Sequence, residues 1–366
     1  MLTRKEAENC CAALRRIVYH DESPLSVSDW DRMRGIMVAH GVASMADCAD
    51  DPALLPMQDR KKALAYISYS FALCETVYRL FREMEKRGIK SAVLKGEAVN
   101  ECYPPNVMRV SGDIDLYLPG KQREAFGQMM QELGFRLQKD VFTGQLGVDD
   151  YYSPEGIHLE VHSVYFQRLS AWQRKLLKER GFFSSAFFQR VGGYVTLKPE
   201  AHLLYMVYHA DKHIISHGLT LRMLMDLTQF VNRYADEIDK TAFQTFIRQL
   251  KLTRITNAIF CYCEKYLGMR RDFWRRTGPG MEFFLRLMMT PAKEELRSHN
   301  WERLFRRPYP YFYEESCEES DQEYQIRHSY KPRNLLKSKY HLSVFVFWWC
   351  IRLVWGFDVD RSNEAV

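Results

Sequence analysis

A chain of 366 residues, 46% of them apolar, has material for roughly two or three hydrophobic cores, and a formal charge of +6 is too mild at that length to mark a nucleic-acid binder by itself. Nine cysteines without a C-x-x-C pair, and a charged, helix-prone start from Met1 to Glu8 with no apolar stretch, speak against a secreted disulfide scaffold. We therefore expect reduced thiols in a cytoplasmic protein.

Taken in chain order, the first strong periodicity is helical. Leu64, Ile67, Phe71, Cys74, Val77, Leu80, Phe81 and Met84 recur at three- and four-residue steps, which predicts an amphipathic helix over Arg60–Lys86 that stops at Gly88. Ala92, Val93 and Leu94 then form a short apolar strand. Gly96 breaks it and Glu97–Glu101 restarts as a helix, so Gly96 lies at a strand-to-helix turn. Asp113-Ile114-Asp115-Leu116-Tyr117-Leu118 alternates as the head of a second strand. A helix over Gln122–Leu133 closing at Gly134, strands near Phe135–Val141 and Asp150–Tyr152, and a strand over Ile157–His162 complete a central module from Ile89 to about Phe166.

The chemistry sits in that module. Asp113 and Asp115 are two positions apart on a strand, so they point the same way. Like charges held that close repel, and a divalent cation between them is the simplest remedy. In Ile157–His162 the apolar residues Ile157, Leu159 and Val161 take one face while His158, Glu160 and His162 take the other. If the two strands are neighbours, Glu160 completes an all-oxygen set of acids suited to Mg²⁺ or Mn²⁺. Such an ion is usually shared with substrate phosphates, and the N–H groups after Gly96 together with Lys95 or Arg109 offer positive charge for a triphosphate.

Lys95-Gly96, Arg109, Gly112-Asp113-Ile114-Asp115 and Glu160-x-His162 resemble the core of the polymerase-β-like nucleotidyltransferase superfamily, in particular its bacterial branch with a Leu-Lys-Gly signature. The likeness is strong over Ile89–Phe166 and weaker beyond. It departs from the wider superfamily at Glu97, where a Gly-Ser or Gly-Gly turn is usual. The resemblance implies Asp113 and Asp115 as metal ligands, Glu160 as the third acid that activates the acceptor hydroxyl, and Lys95, Gly96, Arg109 and Gly112 at the nucleotide. It also implies Mg²⁺ or Mn²⁺ as cofactor and a nucleoside triphosphate, ATP the expected one, as substrate.

Downstream, Glu200–His213, Thr220–Tyr234, Thr241–Leu250 and Ile255–Leu267 carry helical apolar spacing with short connections, the pattern of an α-bundle. His209, His213 and His217 recur every four residues and are expected on a cleft-lining face, while Arg222 and Asp226 have the spacing of an intrahelical ion pair. Arginines mixed with aromatics at Arg270–Arg276 and Arg303–Arg307 suit nucleic acid in principle, but a solvated basic face is favoured. An acidic run, Glu314–Asp321, reads as a linker. The aromatic segment Leu342–Phe357 is expected to pack as a buried helix, with peripheral contact to anionic lipid as the alternative.

These features predict an α+β protein: a small mixed β-sheet nucleotidyltransferase core flanked by N-terminal helices and a larger C-terminal α-helical domain. The expected divisions are 1–87 (helical), 88–168 (core), 169–310 (bundle) and 311–366 (linker and aromatic helix). The expected activity is metal-dependent transfer of a nucleoside monophosphate to an acceptor hydroxyl that the sequence does not specify. The alternatives are a catalytically inactive binding or scaffold protein of the same fold, and an RNA-directed transferase.

Overall fold

The computed structural model describes residues 4–138, 148–163, 166, 171–182, 184–216 and 219–274. The expectations for Arg303–Arg307, the acidic run, Leu342–Phe357 and His217 lie outside those residues.

Three helices open the chain, α1 (Arg4–Tyr19), α2 (Trp30–Ala39) and α3 (Ala43–Asp47), followed by the long α4 (Arg60–Lys86). The Asp29 carboxylate accepts from the backbone N–H of Arg32 at the start of α2, and Asp59 does the same for Lys62 at the start of α4. Gly88, at φ +67°, ends α4, and the N–H of Ile89 closes back on the carbonyl of Met84. The buried stripe of α4 is Leu73, Val77, Leu80, Phe81 and Met84, whereas Leu64 and Phe71 are exposed. Only the second half of α4 packs into the cluster with the sheet, so the apolar spacing overstated the buried face.

The module that follows runs β1 (Ala92–Val93), α5 (Glu97–Asn100), β2 (Ile114–Tyr117), α6 (Arg123–Glu132), β3 (Arg136–Gln138), β4 (Val148–Tyr152) and β5 (His158–His162). After α7 (Ala171–Glu179) the chain returns to the sheet as the hairpin β6 (Phe188–Val191) and β7 (Tyr194–Leu197). It ends in α8 (Pro199–Ser216), α9 (Leu221–Tyr234), α10 (Lys240–Gln249) and α11 (Thr253–Tyr262), the last continuing as a wide turn over Cys263–Leu267.

The seven strands form one mixed sheet in the order β3-β4-β5-β2-β1-β7-β6. The pairs β2–β5 and β1–β7 are parallel and the others antiparallel. The sheet thus takes in strands beyond the expected boundary at 168, with β7 an inner strand beside β1. The hairpin had a legible signal in Gly192-Gly193 between two apolar runs, the two-residue turn that suits twisted strands.

Alternation along the strands divides the interior. Val93, Ile114, Leu116, Leu159 and Val161 pack with α4 and with Phe126, Met129 and Met130 of α6. Ala92, Leu94 and Tyr117 belong instead to the large cluster formed with the C-terminal helices, which also takes in Cys11, Leu14 and Ile17 of α1. Within the N-terminal segment, α1 thus packs with the bundle and the second half of α4 with the sheet.

Candidate active site

Gly96 begins the site. Its φ of +62° and ψ of −117° suit glycine alone, and a Cβ there would come within 3.3 Å of Ser111 Oγ and 3.6 Å of the Asp113 carbonyl. The turn is therefore pressed against the segment that leads into β2. The N–H of Leu94 donates to the carbonyl of Asp115 at 3.0 Å, which sets Lys95 beside the acids.

Asp113 stands half-buried immediately before β2, and Asp115 lies within it with no exposure. Asp115 faces Glu160 of β5 in register, and Glu160 faces Asp150 of β4, so a row of carboxylates crosses three neighbouring strands. Lys95 Nζ is 3.0 Å from Asp115 Oδ2. His162 Nε2 is 3.0 Å from Asp115 Oδ1 and 3.5 Å from Glu160 Oε2.

These contacts set the charges. Burial would raise the Asp115 carboxyl, but Lys95 and His162 outweigh it and hold it well below the ordinary range. Burial likewise opposes ionisation of Glu160, yet the His162 hydrogen bond prevails and lowers its pKa. The pKa of Asp113 moves up instead, chiefly because Asp115 is adjacent and then because it is buried. Burial works against the charged forms of Lys95 and His162, and the surrounding carboxylates overcome it in both.

Two groups of side chains have donor atoms mutually within 4.8 Å: Asp113, His158 and Glu160, and Asp115, Glu160 and His162. The expected acids do come together, and Glu160 is common to both groups. The sequence showed His158 and His162 on the face of Glu160 without assigning either to the cluster. It gave no indication that Asp150 joins the row, or that Tyr205 of α8 is near enough to feel Lys95.

Arg109 has another partner. Its guanidinium is buried, donating to both Asp226 oxygens at 2.8 and 2.7 Å, to Asn100 Oδ1 at 3.0 Å and to the Gly96 carbonyl at 3.3 Å. Tyr103 donates its hydroxyl to the same Asp226 at 2.7 Å. The expected Arg222–Asp226 pair is thus corrected: Asp226 is turned to Arg109, and Arg222 donates to the Val110 carbonyl. Arg109 thus braces the Gly96 turn from within. Glu97 is also buried, with one carboxylate oxygen accepting from Asn100 at 3.0 Å. The carbonyl of Gly112 accepts from Tyr69, and space is open where its Cβ would stand.

A family model described as an uncharacterised nucleotidyltransferase matches residues 26–268, well over half of the chain. The chain belongs to that family. The nucleotidyltransferase match extends past β7 and through α11, consistent with a sheet and bundle that share one core. No curated protein matches the sequence. Among solved structures, the chain is similar to an antigenic nucleotidyltransferase-like protein from Paracoccidioides brasiliensis at 13% identity and a TM-score of 0.33, over 55% of this chain and 95% of that one.

In the described bundle, the His209 and His213 rings lie 4.4 Å apart on α8. Phe273 and Trp274 are buried, and Arg270 pairs with Asp236 and Asp272, so this part of the arginine–aromatic cluster is core and surface ion pairs. No helix among the described residues is long and apolar enough to cross a membrane.

Proposed function

We propose that this nucleotidyltransferase moves a nucleoside monophosphate from a nucleoside triphosphate, ATP the expected donor, to an acceptor hydroxyl with the help of Mg²⁺ or Mn²⁺. The observation that carries the proposal is the convergence of Asp113, Asp115 and Glu160 on one sheet face, with Asp115 and Glu160 in direct register. Oxygen-rich donors within a few ångströms of one another fit a hard divalent ion. When bound, that ion supplies charge to neutralise the phosphates and to polarise the α-phosphoryl group.

The chain's own residues do the rest. Asp113 and Glu160 offer carboxylates on the more open side of the cluster, and Lys95 fixes positive charge against Asp115. The acceptor oxygen attacks the α-phosphorus, the bond to the β-phosphate oxygen breaks, and pyrophosphate leaves. Glu160, kept ionised by its contact with His162, takes the proton of the acceptor hydroxyl in this reading. Arg109 and Asp226 hold the Gly96 turn in place. Glu97, folded inward onto Asn100, presents no obstacle there.

Fluorescence titration with ATP, with and without Mg²⁺ or Mn²⁺, tests the proposal. Binding should require the metal, and Asp113→Asn should abolish both binding enhancement and turnover while preserving the circular dichroism spectrum. Equal metal-dependent binding and turnover in Asp113→Asn would overturn the assignment.

A further inference from the structure

The two donor groups that share Glu160 are not equivalent. In the inner one, Asp115 is fully buried and already faces a cation, the Lys95 ammonium at 3.0 Å, while His162 bridges Asp115 and Glu160 at 3.0 and 3.5 Å. A second ion there would sit against a fixed ammonium and would have to break both imidazole contacts. The outer group, Asp113, His158 and Glu160, is half-buried throughout and open to an ion.

The outer group also contains a nitrogen donor that is held in place. His158 stacks on Tyr152, ring centroids 4.7 Å apart and nearly parallel, and donates its Nε2–H to Asp150 at 2.8 Å. A carboxylate accepting from the imidazole is the arrangement that usually accompanies a metal-ligating histidine, since it fixes both tautomer and ring orientation. Imidazole binds magnesium poorly, whereas manganese and the later divalent metals accept mixed nitrogen and carboxylate donors.

We propose that the protein holds a single divalent cation of the manganese class in the outer group, ligated by Asp113, Glu160 and His158, with Asp150 as a positioning residue for the imidazole and Lys95 in the place of a second ion. This rests on the proposed nucleotidyl transfer and narrows its cofactor from Mg²⁺ or Mn²⁺ to the latter and its ion count to one.

The test is electron paramagnetic resonance of the full chain titrated with Mn²⁺. We expect one Mn²⁺ per chain, bound at least about tenfold more tightly than Mg²⁺ in competition. The pulsed spectrum should show nitrogen-14 coupling from one imidazole. His158→Gln should remove that coupling and weaken Mn²⁺ about tenfold or more, with Mg²⁺ affinity little changed, and Asp150→Asn should weaken Mn²⁺ about tenfold while keeping the coupling. Two ions per chain, or coupling that survives His158→Gln, would overturn the inference. The wild-type spectrum decides the point even where the variant fails to fold, because bound Mn²⁺ without nitrogen coupling would overturn it equally. Absence of any bound divalent ion, with ATP present or not, would instead sink the nucleotidyl-transfer proposal beneath it.

Discussion

Arg109 and Asp226 form a buried ion pair whose carboxyl stays ionised against the cost of burial because the guanidinium outweighs it. Removing one member strands the other charge in the core, which costs about 3 to 5 kcal/mol, whereas replacing both with apolar residues is often near neutral. Asp226→Asn should therefore lower the urea midpoint sharply, and Arg109→Met with Asp226→Leu should recover most of it. An unshifted midpoint in Asp226→Asn would show that the pair does not support the turn. Gly96→Ala is expected to be worse for activity than for folding. A left-handed backbone with an added Cβ costs about 1 to 3 kcal/mol, and relief of the contact with Ser111 moves the segment that carries Asp113. Nucleotide affinity and thermal midpoint measured side by side would separate the two effects.

Helices α2 and α8 carry a pH dependence of their own. His40, at the end of α2, accepts from the N–H of Leu221 at 3.2 Å, and His202 lies in α8 within the core. Burial drives both pKa values down to about 4. Each histidine is neutral when folded and titrates near 6.5 when unfolded, so its contribution is fully present above about pH 6.5 and is lost as the pH falls toward 4. By pH 5 the loss is about 2 kcal/mol for each. The thermal midpoint should then fall between pH 7 and 5, and His202→Gln should flatten that fall. A midpoint constant over this interval would show that the two imidazoles find compensating partners when protonated.

In the whole molecule the sheet and the bundle are one interior. β7 pairs with β1, Leu94 and Tyr117 pack with the C-terminal helices, and α1 contributes Cys11, Leu14 and Ile17 to the same cluster. A fragment of residues 88–168 should consequently fail to fold cooperatively, since it leaves β1 without β7 and exposes the bundle-facing side of the sheet. Deleting residues 1–19 uncovers several large side chains at roughly 1.5 to 3 kcal/mol each, comparable with the usual total stability of about 5 to 15 kcal/mol. Circular dichroism melts on both would check these outcomes, and a sharp transition in the 88–168 fragment would mean that the core is autonomous after all.

The residues at the centre of the site are readable from local pattern alone, because strand alternation fixes which side chains share a face. That is enough to pair Asp113 with Asp115, to set Glu160 beside His158 and His162, and to place Gly96 at a turn. The helical periods of α4 and of the bundle follow from the same local rule. Everything that depends on which strand lies beside which was decided by tertiary structure: the register of Asp150 with Glu160 and Asp115, the return of β6 and β7 to the sheet, and the burial of Leu73 instead of Phe71. Arg109 and Asp226 show the reason most plainly. They are far apart in sequence, each is equally at home on a surface, and only the docking of α9 against the Gly96 turn removes the water that would otherwise keep them apart.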